Sequence, residues 1–173
     1  MPLTKLNSAS MLIGSVLQTK KTQYTSTTNV TTAANTNKTV DVLAVNITPK
    51  STSSIIKLDA HIFHEWLNPD AMYYCMWFFY RDATKLAAPQ AGNRLSGITS
   101  STISFYDSDA DSTPELATYS YFDSPTTTSQ ITYKVGVICH YATTVHINRT
   151  VGDTDSTLFN RGISFISAQE IKQ

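Results

Sequence analysis

The sequence predicts an all-β protein: an antiparallel β-sandwich of eight or nine strands, with a jelly roll as the leading form. Three observations predict it. The first is a hydroxyl-rich composition, 26 Thr and 19 Ser among 173 residues with only 15% charged, where about a quarter is usual. Threonine suits a pleated, half-exposed surface, because its branched Cβ packs there while the hydroxyl faces water. The second is period-two alternation in short runs. The third is turn chemistry between those runs, with no long stretch of helix formers. A chain of this length forms one domain with a core of its own.

Taken in order, residues 1–13 are expected to form an arm and residues 14–173 the sandwich. The arm has too few apolar groups in any alternating pattern to offset the entropy of ordering. Leu3, Leu6, Met11, Leu12 and Ile13 are its candidate contacts for docking on a partner. Weak strand candidates run over 12–20, 98–105, 117–122, 144–148 and 162–171. The Thr-rich run from Thr25 to Thr39 reads as a long loop or a pair of edge strands.

Stronger signals lie between these. Val40 and Val42 share one face and Leu43, Val45 and Ile47 the other, a switch that marks a bulge or a strand covered on both sides. From Ile56 to Ile62, Ile56, Leu58, Ala60 and Ile62 oppose Lys57, Asp59 and His61. The run from Met72 to Tyr80 is almost wholly apolar, which fits a central strand. From Ile131 to Tyr141, Ile131, Tyr133, Val135, Val137, Cys139 and Tyr141 share one face. Trp77, Phe79, Val135 and Val137 are therefore predicted core. Turns are expected at Thr48-Pro49-Lys50-Ser51, Leu67-Asn68-Pro69-Asp70, 88–93 and Asp123-Ser124-Pro125.

Charge and cysteine usage narrow the function classes. Thirteen basic and thirteen acidic residues cancel, so no excess cation is available to neutralise nucleic-acid phosphates. No stretch approaches 18 apolar residues, which predicts no membrane span. The first 14 residues lack a signal peptide's apolar region, which predicts a protein made and kept in a cytoplasm. Cys75 and Cys139 read as buried free thiols, small hydrophobes inside apolar strands. A disulfide would need facing Cβ atoms and an oxidising compartment, neither of which the sequence supports.

The search for chemistry returns little. His61, His64 and Glu65 do not match a zinc-protease motif, and on a strand the two histidines point to opposite faces; a rim or core histidine is the structural reading. Asp107, Asp109 and Asp111 could gather around calcium, which prefers oxygen ligands. Ser112 stands where the glycine of an EF-hand loop belongs, and a solvated acidic turn is the favoured reading. Asn29, Asn37, Asn46 and Asn148 each begin an Asn-x-Thr string, as expected by chance among so many threonines. The aromatic run from Tyr73 to Tyr80 could stack on sugars but reads first as core. No catalytic residue and no cofactor site is expected.

Several strings, taken together and in order, carry a resemblance. They are Gly14-Ser-Val-Leu-Gln18, Asn46-Ile-Thr-Pro-Lys-Ser-Thr-Ser-Ser-Ile-Ile-Lys57, Asn93-Arg94, the stretch from Tyr121 to Lys134, Val145-His-Ile-Asn-Arg149, and the stretch from Gly162 to Ile171. Over nearly the whole chain this resembles a family of phage virion domains, often labelled tail-fibre-like, found in viruses of aquatic bacteria. The resemblance implies a sandwich framework and no catalytic residue. It implies a homotrimer on the virion, assembled in the host cytoplasm, either decorating the capsid against the major capsid protein or tipping a receptor-binding fibre that contacts host glycans. Only about a dozen residues precede Gly14, where a fibre head would follow a long stem. The expectation is therefore a capsid decoration (cement) protein.

Overall fold

The computed structural model describes residues 10–67, 73–101 and 111–173. Among them it is all-β, with ten antiparallel strands in two sheets and no helix. The strands are β1 (Val16–Tyr24), β2 (Thr28–Thr32), β3 (Lys38–Ile47), β4 (Ile55–Trp66), β5 (Cys75–Arg81), β6 (Thr84–Leu86), β7 (Glu115–Asp123), β8 (Ile131–Cys139), β9 (Thr143–Ile147) and β10 (Ser164–Ile171).

The first sheet is organised by β4. One edge pairs β7 through residues 56–64, while β10 pairs residues 55–61. His64 faces both Glu115 of β7 and Ile147 of β9, so β9 continues the edge that β10 occupies. Outside them β1 pairs β10 and β2 pairs β9. The sheet thus has four columns: β7, β4, β10 with β9, and β1 with β2. The second sheet runs β3-β8-β5-β6.

Alternation places the core between the sheets, as the long strands predict. Ile56, Leu58, Ala60 and Ile62 of β4 meet Val135 and Val137 of β8 and Trp77 and Phe79 of β5 in one cluster. Polar groups also cross the gap. The Tyr119 hydroxyl donates to the Phe78 carbonyl at 3.0 Å, and that of Tyr133 to Asp123 at 2.7 Å. Burial pushes both phenols up from their ordinary pKa. Gly136 of β8 faces away from the core, where a Cβ would strike the ring of Phe78. The close approach lets Phe78 lie flat on the sheet.

Several boundaries differ from the sequence reading. The switch in β3 is a bulge: Val40 pairs Val135 but Ala44 pairs the next residue, Lys134, so Asp41, Val42 and Leu43 are extra. The first strand begins at Val16 instead of Leu12 and runs to Tyr24. The Thr-rich run is β2 plus the start of β3. Half of the 98–105 candidate, residues 102–105, lies outside the described residues; Thr99 forms a single bridge to Trp77. Tyr141 lies past the end of β8 and is exposed.

Cys75 and Cys139 are not free thiols. They stand directly opposite each other in the β5–β8 register, with Cα atoms 4.1 Å apart, and are joined in a disulfide. Each sits on the inward face of its own strand. Their pairing follows from a register between segments 64 residues apart, which neither segment encodes.

Candidate functional site

The sequence-predicted site residues fall into two groups. Leu3 and Leu6 lie outside the described residues, as do Asp107 and Asp109. Asp111 has a left-handed backbone (φ 57°), and its carbonyl accepts from the Gly152 N–H at 2.7 Å. Among the described residues no group of three His, Cys, Asp or Glu side chains is placed to hold a metal ion. Met11 is half-buried, and its carbonyl accepts from Lys172 Nζ at 2.6 Å. The Gly14 N–H donates to the Lys172 carbonyl and the Lys172 N–H to that of Ser15, at 2.8 and 3.0 Å. Between these ties Leu12 and Ile13 are held 82% and 77% exposed. An apolar pair is thus fixed in water beside the end of β10.

The buried polar groups serve as clamps. Glu65, on the outer face of the first sheet, accepts from the Thr113 N–H and hydroxyl and from the Val151 N–H, all at 2.7–2.8 Å. It ties down the segments on either side of β7 and β9. Glu170 does the same for the β3–β4 connection, accepting from Lys50 N, Ser54 Oγ and Gln18 Nε2. Asn148, buried with φ 63°, gives its amide to the carbonyls of Tyr24 and Ser26 and accepts from Ser164 Oγ. It joins the β1/β2 break to the β9/β10 break. A buried carboxylate or amide is tolerated where its hydrogen bonds are filled.

His64 and Ser101 form a second kind of cluster. Ser101 Oγ is 2.7 Å from His64 Nε2 and accepts from the indoles of Trp66 and Trp77. The other ring nitrogen, Nδ1, donates to the Ile62 carbonyl, so in the neutral ring Nε2 accepts from the Ser101 hydroxyl. Glu115 approaches that same Nε2 at 3.5 Å. A catalytic triad places the acid on the opposite nitrogen and leaves the hydroxyl open to substrate. Here the hydroxyl is buried and takes both indole N–H groups and an imidazole nitrogen, while Glu115 Oε2 has no hydrogen-bond partner among the described residues. His61 points outward and stacks on Phe165 instead, so the two histidines do face opposite ways.

The described surface also carries an aromatic and amide-rich end, where the β2–β3, β4–β5 and β8–β9 connections meet. Tyr73, Tyr74 and Tyr141 are about half exposed. Tyr74 meets Tyr141 edge-on at 5.7 Å, and His140 touches both rings. His140 also lines an open groove of about 490 Å³, whose other walls include Asn35, Asn37, Gln90, Asn93, Lys85 and Arg94. The disulfide lies directly beneath. The Asn35 N–H donates to the Cys139 carbonyl at 2.7 Å and the His140 N–H to that of Tyr74 at 3.0 Å.

Sequence reasoning assigned the aromatic run from Tyr73 to Tyr80 to the core as a whole. The structure divides it: Trp77, Phe78 and Phe79 are buried and Tyr73 and Tyr74 are exposed. The available signal was position, since the two tyrosines come shortly after the turn expected at Leu67-Asn68-Pro69-Asp70, most of which lies outside the described residues. Nothing in the sequence brings Asn35, Arg94 and His140 together.

A scan against protein-family models gives no match to this chain. A search of curated proteins gives none either.

Proposed function

We propose that this chain is a non-enzymatic virion surface protein, a capsid decoration (cement) protein of a phage, which docks on the major capsid protein and stabilises the particle. The observation that carries this reading is the segment 11–15. Two large apolar side chains, Leu12 and Ile13, are kept in water by backbone ties on both sides of them. Fixing an apolar pair in an exposed position gains nothing for the isolated domain, whereas a partner surface would bury it.

Three further features support the reading. The sheet orders β7-β4-β10/β9-β1/β2 and β3-β8-β5-β6 are compatible with the strand plan of a jelly roll, which recurs in viral capsid domains. The ordered strings that resemble phage virion domains span the same framework. The disulfide suits a protein that is assembled in the host cytoplasm and then displayed on a released particle, outside reducing surroundings. The closed Ser101–His64 pair supports a role without catalysis.

The test is attachment to particles. Quantitative mass spectrometry of purified virions is expected to count hundreds of copies per particle, against a few dozen or fewer for a fibre. A Leu12→Ser/Ile13→Ser variant is expected to keep its melting temperature and lose incorporation. Full occupancy by that variant would refute docking through this segment. A low copy number confined to the tail would replace decoration with the receptor-binding reading.

A further inference from the structure

We propose that the groove at the disulfide end binds an acidic glycan, a carboxylated or sulfated oligosaccharide, with Arg94 holding the anionic group and the Tyr74–Tyr141 pair, which adjoins the groove through His140, stacking on a sugar ring. The inference goes beyond attachment to a particle and concerns the opposite kind of surface, polar and concave instead of apolar and protruding.

Charge selects the occupant. Lys85 and Arg94 line the groove, and no carboxylate does so among the described residues. Lys85 is partly committed, since its Nζ donates to Asn37 Oδ1 at 3.0 Å and sits 4.2 Å over the Phe78 ring. Arg94 is exposed, and its NH1 reaches the Ala91 carbonyl at 3.2 Å. A guanidinium presents a planar fork that fits a carboxylate or sulfate edge better than an ammonium does. Two cations are too few to track a nucleic-acid backbone, and the whole chain has no net charge to steer one in.

The remaining walls suit sugar hydroxyls. Asn93 carries both donors and an acceptor; Asn35 and Asn37 keep their amide N–H donors while their Oδ1 atoms meet His140 and Lys85, and Gln90 turns its N–H groups to the Gly92 and Arg94 carbonyls and leaves its oxygen to accept from a hydroxyl. Tyr74 and Tyr141 pack edge to face, an arrangement that leaves ring surface available to the apolar C–H face of a pyranose. The volume of about 490 Å³ lies within the range of small-ligand sites. Preorganisation is built in below. The Cys75–Cys139 bond and the two backbone bonds described above hold the β2–β3, β4–β5 and β8–β9 connections together, and the segment that carries Arg94 is closed by the Ala88 N–H on the Gly97 carbonyl at 3.1 Å, so that less order is lost on binding.

The full chain is titrated calorimetrically with tetragalacturonate and with a sulfated oligosaccharide of similar length. Maltotetraose serves as the neutral control and decathymidylate as the nucleic-acid control. At least one acidic sugar is expected to bind with a Kd of roughly millimolar or tighter, and the arm that binds identifies the acid. Arg94→Ala is expected to weaken it about tenfold, as does Tyr74→Ala/Tyr141→Ala, with Arg94→Lys intermediate. Phe122→Ala, on the outer face of the first sheet, leaves binding unchanged, and a melting curve confirms that each variant is folded. No saturable binding of either acidic sugar up to about 10 mM overturns the proposal. So does binding that survives Arg94→Ala, maltotetraose binding of equal strength, or tighter binding of decathymidylate. Because free protein is titrated, the result is independent of attachment to a particle.

Discussion

His146 is a buried imidazole with no hydrogen-bond partner on either nitrogen among the described residues. It sits on the outer face of the first sheet, opposite Glu65 and Asn29 in register. Burial lowers its pKa, the nearby Arg149 guanidinium lowers it further, and Asp153 and Asp111 oppose them. A histidine depressed in the folded state leaves the unfolded chain to take up the proton first. Its contribution to stability is therefore complete above the ordinary value of about 6.5 and is lost as pH falls through that value toward the folded one. Urea unfolding is expected to show wild-type stability falling from pH 7 to pH 5. His146→Phe removes the imidazole's share of that fall, so the difference between variant and wild type should change with pH. A constant difference across the range would show that the imidazole titrates alike in both states. The sequence shows His146 as one member of a strand candidate; its isolation arises because the segments clamped by Glu65 close over it.

At the scale of elements, the β5–β8 pair carries the disulfide and a testable cost. Closing a loop of 64 residues is worth about 4 kcal/mol by the chain-entropy relation. The double variant Cys75→Ala/Cys139→Ala is expected to lose stability of that order in urea, and reduction of the wild type is expected to match it. A loss under about 1 kcal/mol would mean that the strand pairing already supplies the constraint. The β5–β8 pair also shows what patterns in a sequence can and cannot reveal. The inward face of β8 was legible residue by residue, because Thr132, Lys134 and Gly136 interrupt it with period two. The same logic located β4, and the broken alternation of β3 left a bulge or a doubly covered strand open, of which the bulge is what forms. β6 was missed because three residues, Thr84–Leu86, are too few to show a period. The cysteine pairing was missed because register between distant strands is set by the whole sheet. Glu65 and Glu170 were missed because their partners are loop backbones, which have no sequence signature.

For the whole molecule, the all-β architecture was legible because nearly every long strand has one wet face and one dry face. The groove was not, since its walls come from the β2–β3, β6–β7 and β8–β9 connections and from β6 and β8, which only the closed sandwich brings together. Assembly belongs to this scale too. The resemblance to virion domains implies three copies, and zero net charge removes repulsion between them. Sedimentation of the purified chain at micromolar concentration is expected to give a trimer of the 19.1 kDa subunit, and a lone monomer peak would count against it. Close packing of copies would also cover sheet edges that are otherwise open.

The reciprocal hydrogen bonds between Gly14, Ser15 and Lys172 have a practical consequence for anyone handling the protein. They make the chain almost a ring, so a peptide fused after Gln173 emerges beside Leu12 and Ile13. A purification tag at the C-terminus would therefore shade that patch and compete with whatever docks on it.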